Sequence, residues 1–218
     1  MNCLLVAATA MEVSVFLDYY RKNADKSLNN VAIDVLITGV GLTATTYNLT
    51  RHLCLVKPDF IIQAGVAGCF NKKIPLGTVL AVKKDVVADE TVLESRKLKT
   101  IFELGLASPN QFPYTKGWLS NPYKLMLKRT RLKTTTAVSV NQISTNKEMV
   151  RLFEKKFEPQ IESMEGAAFH YTCLMEHVPF IQIRSASNYV GERNKRNWKM
   201  KESIQNLNLE LIRLFESL

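Results

Sequence analysis

Three polar residues stand where apolar runs end. Glu12 lies just past Cys3 to Ala8, Glu165 follows the run that begins at Ile161, and Asn188 follows Phe180 to Ser185. A carboxylate placed this way can orient or deprotonate a water. It can also hold sugar hydroxyls through charge-assisted hydrogen bonds. A carboxamide offers donors and an acceptor in one group, which suits the O6 and N7 acceptors of a 6-oxopurine. Plainer roles exist for each. Both glutamates fall at helix starts, where a carboxylate answers the helix dipole for under about 1 kcal/mol, and Asn188 is an ordinary turn residue.

Two glycine segments accompany them, Gly39-Val40-Gly41 and Gly65-Val66-Ala67-Gly68, each after a strand-like run. Glycine lets a backbone come close to a ligand. Neither segment forms the dinucleotide fingerprint or the phosphate loop, so tight strand-to-helix turns are the alternative. Their interest is position, on the same rim of a parallel sheet as the three polar residues. In open α/β sheets that rim is where ligands bind.

The elements that must carry these residues follow from periodicity. Cys3 to Ala8 is a short buried strand, and Val13, Phe16, Leu17 and Tyr20 then recur at helical spacing. Val31 to Thr38 is the next strand, and a helix from Leu42 to about Val56 stops before Lys57-Pro58. Phe60 to Ile62 is strand-like and opens onto Ala64 to Gly68; Val79 to Val87 is a further strand. Thr91 to Asn121 reads as an excursion from the sheet. Ser120-Asn121-Pro122 marks a helix start, Thr134 to Val140 is β-rich, and Thr145 to Phe157 is an amphipathic helix. Met164, Ala167, Ala168, Tyr171, Leu174 and Met175 make one apolar helical face, and a helix from about Lys201 to Phe215 closes the chain. Alternating strands and helices predict an α/β fold. We expect one domain over residues 1–218, with a central mixed, largely parallel twisted sheet flanked by helices.

Composition narrows the function classes. The 218 residues carry a formal charge of +9, but the cations are dispersed or in short groups such as Arg193-Asn194-Lys195-Arg196. No long basic tail or nucleic-acid signature accompanies them, so an anionic small molecule or simple solubility accounts for the charge. Cys3, Cys54, Cys69 and Cys173 show no CxxC spacing and read as buried thiols in a reducing compartment. His52, His170 and His177 make no zinc-like spacing with them. Leu4 to Ala8 is too short for a signal core and leads straight into Glu12, and no run approaches membrane-spanning length. A cytoplasmic protein without metal, cofactor, nucleic-acid or membrane partner is expected.

Taken together, these pieces resemble the nucleoside phosphorylase/nucleosidase superfamily. The resemblance runs from Ala10-Met11-Glu12-Val13 through both glycine segments to Glu162-Ser163-Met164-Glu165-Gly166-Ala167-Ala168, similar to the ribose-binding Met-Glu element. Ile183-Arg184-Ser185-Ala186-Ser187-Asn188 looks like the segment whose acid or amide meets the purine. Within the superfamily, methylthioadenosine/adenosylhomocysteine nucleosidases carry Asp where this chain has Asn188, which disfavours adenine as the leaving base. The stretch from Ser187 to Asn194, with Trp198 after it, looks most like the futalosine hydrolases, which release hypoxanthine in an alternative menaquinone pathway.

The resemblance implies roles. Glu12 orients or deprotonates water, Met164 packs on the ribose, Glu165 binds its hydroxyls, and Asn188 hydrogen-bonds the departing hypoxanthine. Main-chain donors near Ala67 and Gly68 hold the water, and backbone near Gln142 and Ile143 faces the base. Gly65 and Ser187 complete the substrate-binding set, and a homodimer is expected. Phosphorylases place an Arg near the second glycine segment. Here Ile62-Gln63-Ala64-Gly65-Val66 has neither Arg nor a hydroxyl residue, so water is the expected nucleophile. Arg193, Lys195 and Arg196 are candidate cations for the benzoate of futalosine, or simply a solvated loop.

Overall fold

A computed structural model describes residues 1–23 and 31–217. The elements run β1 (Asn2–Ala7), α1 (Ala10–Lys22), β2 (Ala32–Ile37), α2 (Leu42–Leu55), β3 (Phe60–Cys69) and β4 (Val79–Asp85). A hairpin of β5 (Thr91–Glu94) and β6 (Lys97–Thr100) leads to β7 (Leu119–Ser120) and α3 (Lys124–Arg129). Then come β8 (Lys133–Ser139), α4 (Lys147–Phe157), β9 (Ile161–Ser163), α5 (Gly166–Met175), β10 (Phe180–Tyr189) and α6 (Met200–Glu216).

The apolar run at the N-terminus forms β1 because both its faces are covered. Cys3, Leu5 and Ala7 pack with residues of α1 and α6, including Val13, Phe16, Leu207 and Leu211. Leu4 and Val6 point the other way, against Leu49 and Leu53 of α2 and Phe169 and Cys173 of α5. Strand side chains alternate between faces, so a strand between two helical layers must be apolar throughout.

The fold is the expected mixed, largely parallel sheet. β2, β1, β3 and β10 are parallel neighbours. β4 runs antiparallel to β10, while β8 and β9 follow the direction of β4. β9 then pairs antiparallel with the far end of β3, at Gly68 and Cys69, which closes β3, β10, β4, β8 and β9 into a ring. This changes how Glu165 reaches the site. It does not leave the C-terminal end of a parallel strand, as Glu12 does. β9 enters beside the end of β3 and runs back, delivering Met164 and Glu165 to the same rim from the opposite direction.

Closure of the ring also splits one edge of β3. β1 occupies it up to Gln63 and β9 takes it from Gly68. Among the described residues, 64–67 therefore have no strand partner on that side, and a backbone donor there must be met by something else.

Two of the plainer alternatives are set aside and two expectations are corrected. The segment Gly65 to Gly68 is not a turn: β3 continues through it to Cys69. Strand β10 likewise continues to Tyr189, so Asn188 is a strand residue beside a register shift rather than a turn residue. On α5, Tyr171 and Met175 are exposed, because the helix lies on the sheet through Ala167, Phe169, Cys173 and Leu174 instead. Cys3, Cys69 and Cys173 are buried, but Cys54 is exposed on α2. The excursion over residues 91–121 holds the β5–β6 hairpin and returns to the sheet at β7. Among the described residues, no helix is long and apolar enough to cross a membrane.

Candidate active site

At the rim where β1, β3 and β10 end and β9 folds back lies a cavity of about 270 Å³. Its walls include Glu12, Val66, Ala67, Gly68, Ile143, Ser144, Glu162, Met164, Glu165, Ser187 and Asn188. Val190 to Arg193, Trp198 and Met200 line it from the segment after β10. Of the residues singled out in the sequence, Glu12, Ala67, Gly68, Ile143, Met164, Glu165, Ser187 and Asn188 meet here. Gly65 and Gln142 do not line the cavity.

Glu12 is held by its own helix and by the gap in β3. Its Oε2 accepts from the Thr9 N–H (3.0 Å) and the Thr9 hydroxyl (3.1 Å), the reach-back half of a capping box. Its Oε1 accepts from the N–H of Val66 (3.0 Å), a donor on the stretch that neither β1 nor β9 reaches. From α6, Asn208 donates to the carbonyl of Glu12 (2.9 Å) and accepts from the N–H of Phe16 (2.8 Å), pinning α1 in place. Glu12 is thus a helix-capping carboxylate and a cavity wall at once, buried to 6% exposure.

Glu165 is the N-cap residue of α5, yet its carboxylate does not cap that helix. Its Oε2 lies 3.3 Å from Nη1 of Arg184, and its Oε1 accepts from the N–H of Gly41 (3.2 Å). Gly41 has φ of +100°, which glycine adopts without strain, and this conformation turns its N–H toward the site. The first glycine segment therefore serves the site through its backbone.

Arg184 was quoted only as part of a motif, and its role was missed. It is 1% exposed, and its Nη2 donates to Oε1 of Gln63 (3.0 Å). The signal was present: a cation in the middle of an apolar strand needs a buried partner. Gly65 makes room for this pair. A Cβ there would stand 2.3 Å from Nη1 of Arg184 and 2.9 Å from Oε1 of Glu12.

The α5 N-terminus rests on a buried polar layer. The hydroxyl of Ser139 accepts from the N–H of Ala167 (2.8 Å) and donates to Oδ1 of Asp85 (3.0 Å), while Ser163 Oγ accepts from the N–H of Gly166 (3.2 Å). These hydroxyls do the capping that Glu165 does not. Burial pushes the Asp85 carboxyl up to about 7, and burial pushes the nearby His170 imidazole down to about 4.

Asn188 owes its aim to a bulge. The β10–β3 register shifts between Ala186 and Asn188, and a bulge re-aims a side chain. The Ser187 hydroxyl donates to Oδ1 of Asn188 (2.9 Å), and Nδ2 donates to the carbonyl of Tyr189 (3.1 Å). This orientation leaves one Nδ2 hydrogen and one Oδ1 lone pair for a ligand.

Arg193 reaches the cavity wall; Lys195 and Arg196 sit in the short 3-10 turn Lys195–Asn197 and do not line it. The loop is braced internally. Glu192 accepts from the N–H of Asn194 (2.7 Å) and from Asn197 Nδ2 (2.7 Å), and the Trp198 indole donates to the Glu192 carbonyl (3.1 Å).

Comparison with known proteins agrees with this architecture. The family model described as the phosphorylase superfamily matches residues 17–218, and the chain belongs to that superfamily. It is 25% identical over 185 residues to a futalosine hydrolase of Thermus thermophilus, covering 84% of this chain and 80% of that one. It is 28% identical over 174 residues to a 5'-methylthioadenosine/S-adenosylhomocysteine nucleosidase of Maridesulfovibrio salexigens, covering 76% and 71% respectively. Among solved structures, the Helicobacter pylori nucleosidase of the latter name, with butyl-thio-DADMe-Immucillin-A, superimposes with a TM-score of 0.80. That match has 16% identity and covers 100% of this chain and 99% of the other.

Proposed function

We propose that this chain hydrolyses the N-glycosidic bond of futalosine, releasing hypoxanthine. The enzyme class, an N-glycosidic hydrolase or nucleosidase, agrees with the named activities of its relatives. The observation that carries the substrate is Asn188, a neutral amide with one free donor facing the cavity beside the catalytic carboxylates. A 6-oxopurine offers acceptors to that donor. Arg193 at the cavity wall supplies a cation for the carboxylate of the substrate tail.

In the mechanism, the C1′–N9 bond lengthens toward an oxocarbenium-like state. Met164 packs against the ribose. Glu165, oriented by Arg184 and Gly41, binds the ribose hydroxyls and stabilises the developing positive charge. Glu12, oriented by Thr9 and Val66, positions and deprotonates the attacking water. Ala67 and Gly68 supply the wall behind that water. Ile143 flanks the base, with Ser187 bracing Asn188. Water is the nucleophile because Arg184, the cation nearest the second glycine segment, is already committed to Glu165 and Gln63. We place the enzyme in the cytoplasm, as one catalytic unit over residues 1–218 acting as a homodimer.

The test is base release in phosphate-free buffer from futalosine, inosine and methylthioadenosine, followed by addition of phosphate. We expect hypoxanthine from futalosine without phosphate. Strict dependence on phosphate would make the chain a phosphorylase, and preferential adenine release would restore the methylthioadenosine substrate. Asn188→Asp replaces the one donor by a carboxyl that can protonate N7 and accept from a 6-amino group. We expect it to shift relative kcat/KM toward methylthioadenosine by about tenfold or more, the worth of about one hydrogen bond to a charged group. Equal changes for both purines would remove Asn188 from base recognition.

A further inference from the structure

Three strands end together beneath the start of α5. Asp85 closes β4, Ser139 closes β8 and Ser163 closes β9. The three strands run in one direction, and Ser139 and Ser163 are register partners. All three residues are buried. A helix start presents N–H groups with no partner inside the helix, and the N-cap side chain ordinarily takes the one two residues on. For Glu165, the N-cap of α5, that donor is the N–H of Ala167, and Ser139 takes it instead.

The direction of the two serine hydroxyls follows from Asp85. Ser139 donates its one hydrogen to Oδ1 of Asp85 (3.0 Å), so a lone pair is what it turns to the Ala167 N–H (2.8 Å). Ser163 accepts from the Gly166 N–H (3.2 Å), and its oxygen lies 3.3 Å from that of Ser139. With the Ser139 hydrogen committed, Ser163 is the donor of that pair. Both helix N–H groups therefore lead through a serine to one acceptor, Asp85, whose Oδ1 also accepts from the Val86 N–H (2.8 Å). Gly166 lets the helix come this close. A Cβ there would stand 2.2 Å from Oδ2 of Asp85 and 2.3 Å from Nε2 of Gln182.

Resting on the nucleosidase function proposed above, we propose that Asp85 is a positioning residue for Glu165. It turns both serine hydroxyls so that they cap α5, which leaves the Glu165 carboxylate to Arg184, Gly41 and the ribose. Without this acceptor the Ser139 hydrogen has no fixed direction and can face the helix donors. Glu165 then becomes the acceptor at hand for its own helix, and capping draws it off the ribose. Asp85 is fully buried and does not line the cavity, so it reaches the reaction only through Glu165.

The experiment measures base release in phosphate-free buffer, on whichever of futalosine, inosine and methylthioadenosine wild type hydrolyses fastest. Asp85→Ala should lower kcat/KM by about 10- to 100-fold, the scale of a small displacement of a catalytic group. Asp85→Asn keeps an oxygen for the Ser139 hydroxyl and should regain most of that loss. In a Glu165→Gln background, Asp85→Ala should cost no more than a few-fold further, because the group it positions is already gone. Ser139→Ala removes the hydroxyl and keeps Asp85. It should reproduce both the loss and its dependence on Glu165, and it carries the test if Asp85→Ala does not fold. A part in stability alone gives another pattern: a lower Tm with kcat/KM kept, or the same fold-loss with and without Glu165. Either result would overturn the assignment, as would an Asn variant no better than Ala. Absence of base release by wild type from all three nucleosides would instead remove the nucleosidase proposal itself, and this role with it.

Discussion

Glu12→Gln should lower kcat for base release by about 10²- to 10⁴-fold, the usual worth of a positioned acid or base. It should also cost stability, which a carboxylate serving only as a base would not. All three groups that meet the Glu12 carboxylate are donors: Thr9 N–H, Thr9 hydroxyl and Val66 N–H. A glutamine amide must turn its NH2 toward one set of them, leaving a buried donor facing a donor. The expected loss is about 1–2 kcal/mol, or about 2–8 °C in Tm for a chain of this size. Single-turnover base release and a thermal melt read the two effects separately. Near-normal turnover removes Glu12 from the chemistry, and an unchanged Tm contradicts its part in holding α1 to β3.

The second large effect is structural. Arg184→Met removes the partner of a nearly fully buried carboxylate, since Arg184 and Glu165 side chains are 1% and 7% exposed. Breaking such a pair from one side leaves an uncompensated buried charge and costs about 3–5 kcal/mol, roughly 6–20 °C in Tm. Adding Glu165→Gln should recover part of that loss, because the stranded charge is then gone. Denaturant unfolding of both single variants and the double variant measures the coupling. A single-variant loss below about 1 kcal/mol, or strict additivity, would mean that the pair is not acting as a buried ion pair. Activity should not recover in the double variant, since Glu165 is needed at the ribose as well as by Arg184.

These two predictions rest on side chains that were not equally legible beforehand. Glu12 and Glu165 could be read from the chain because each stands at the start of a helix just after a strand, and a carboxylate in that place is local information. Arg184 stood in plain view inside an apolar strand. Its partners Gln63 and Glu165 are separated from it by 121 and 19 positions, and only the β10–β3 and β3–β9 pairings bring them together. Gly65 was noticed for close backbone approach to a ligand, with a tight turn as the alternative. It serves close packing of Arg184 and Glu12 instead, and a glycine's local sequence does not distinguish these uses.

What the sequence alone determined was the class of fold and the chemistry available at strand ends. Period-2 and period-3.6 patterns are set by which residues must leave water, and they reported β1, α2, α4, α6 and the sheet between two helical layers. Only the tertiary structure decided the direction of β9, the closure of the ring onto β3, and the gap along that strand which leaves the Val66 N–H to Glu12. Strand order and register arise from contacts between segments far apart in the chain. A local pattern records that a residue is buried, but not which distant residue it is buried against.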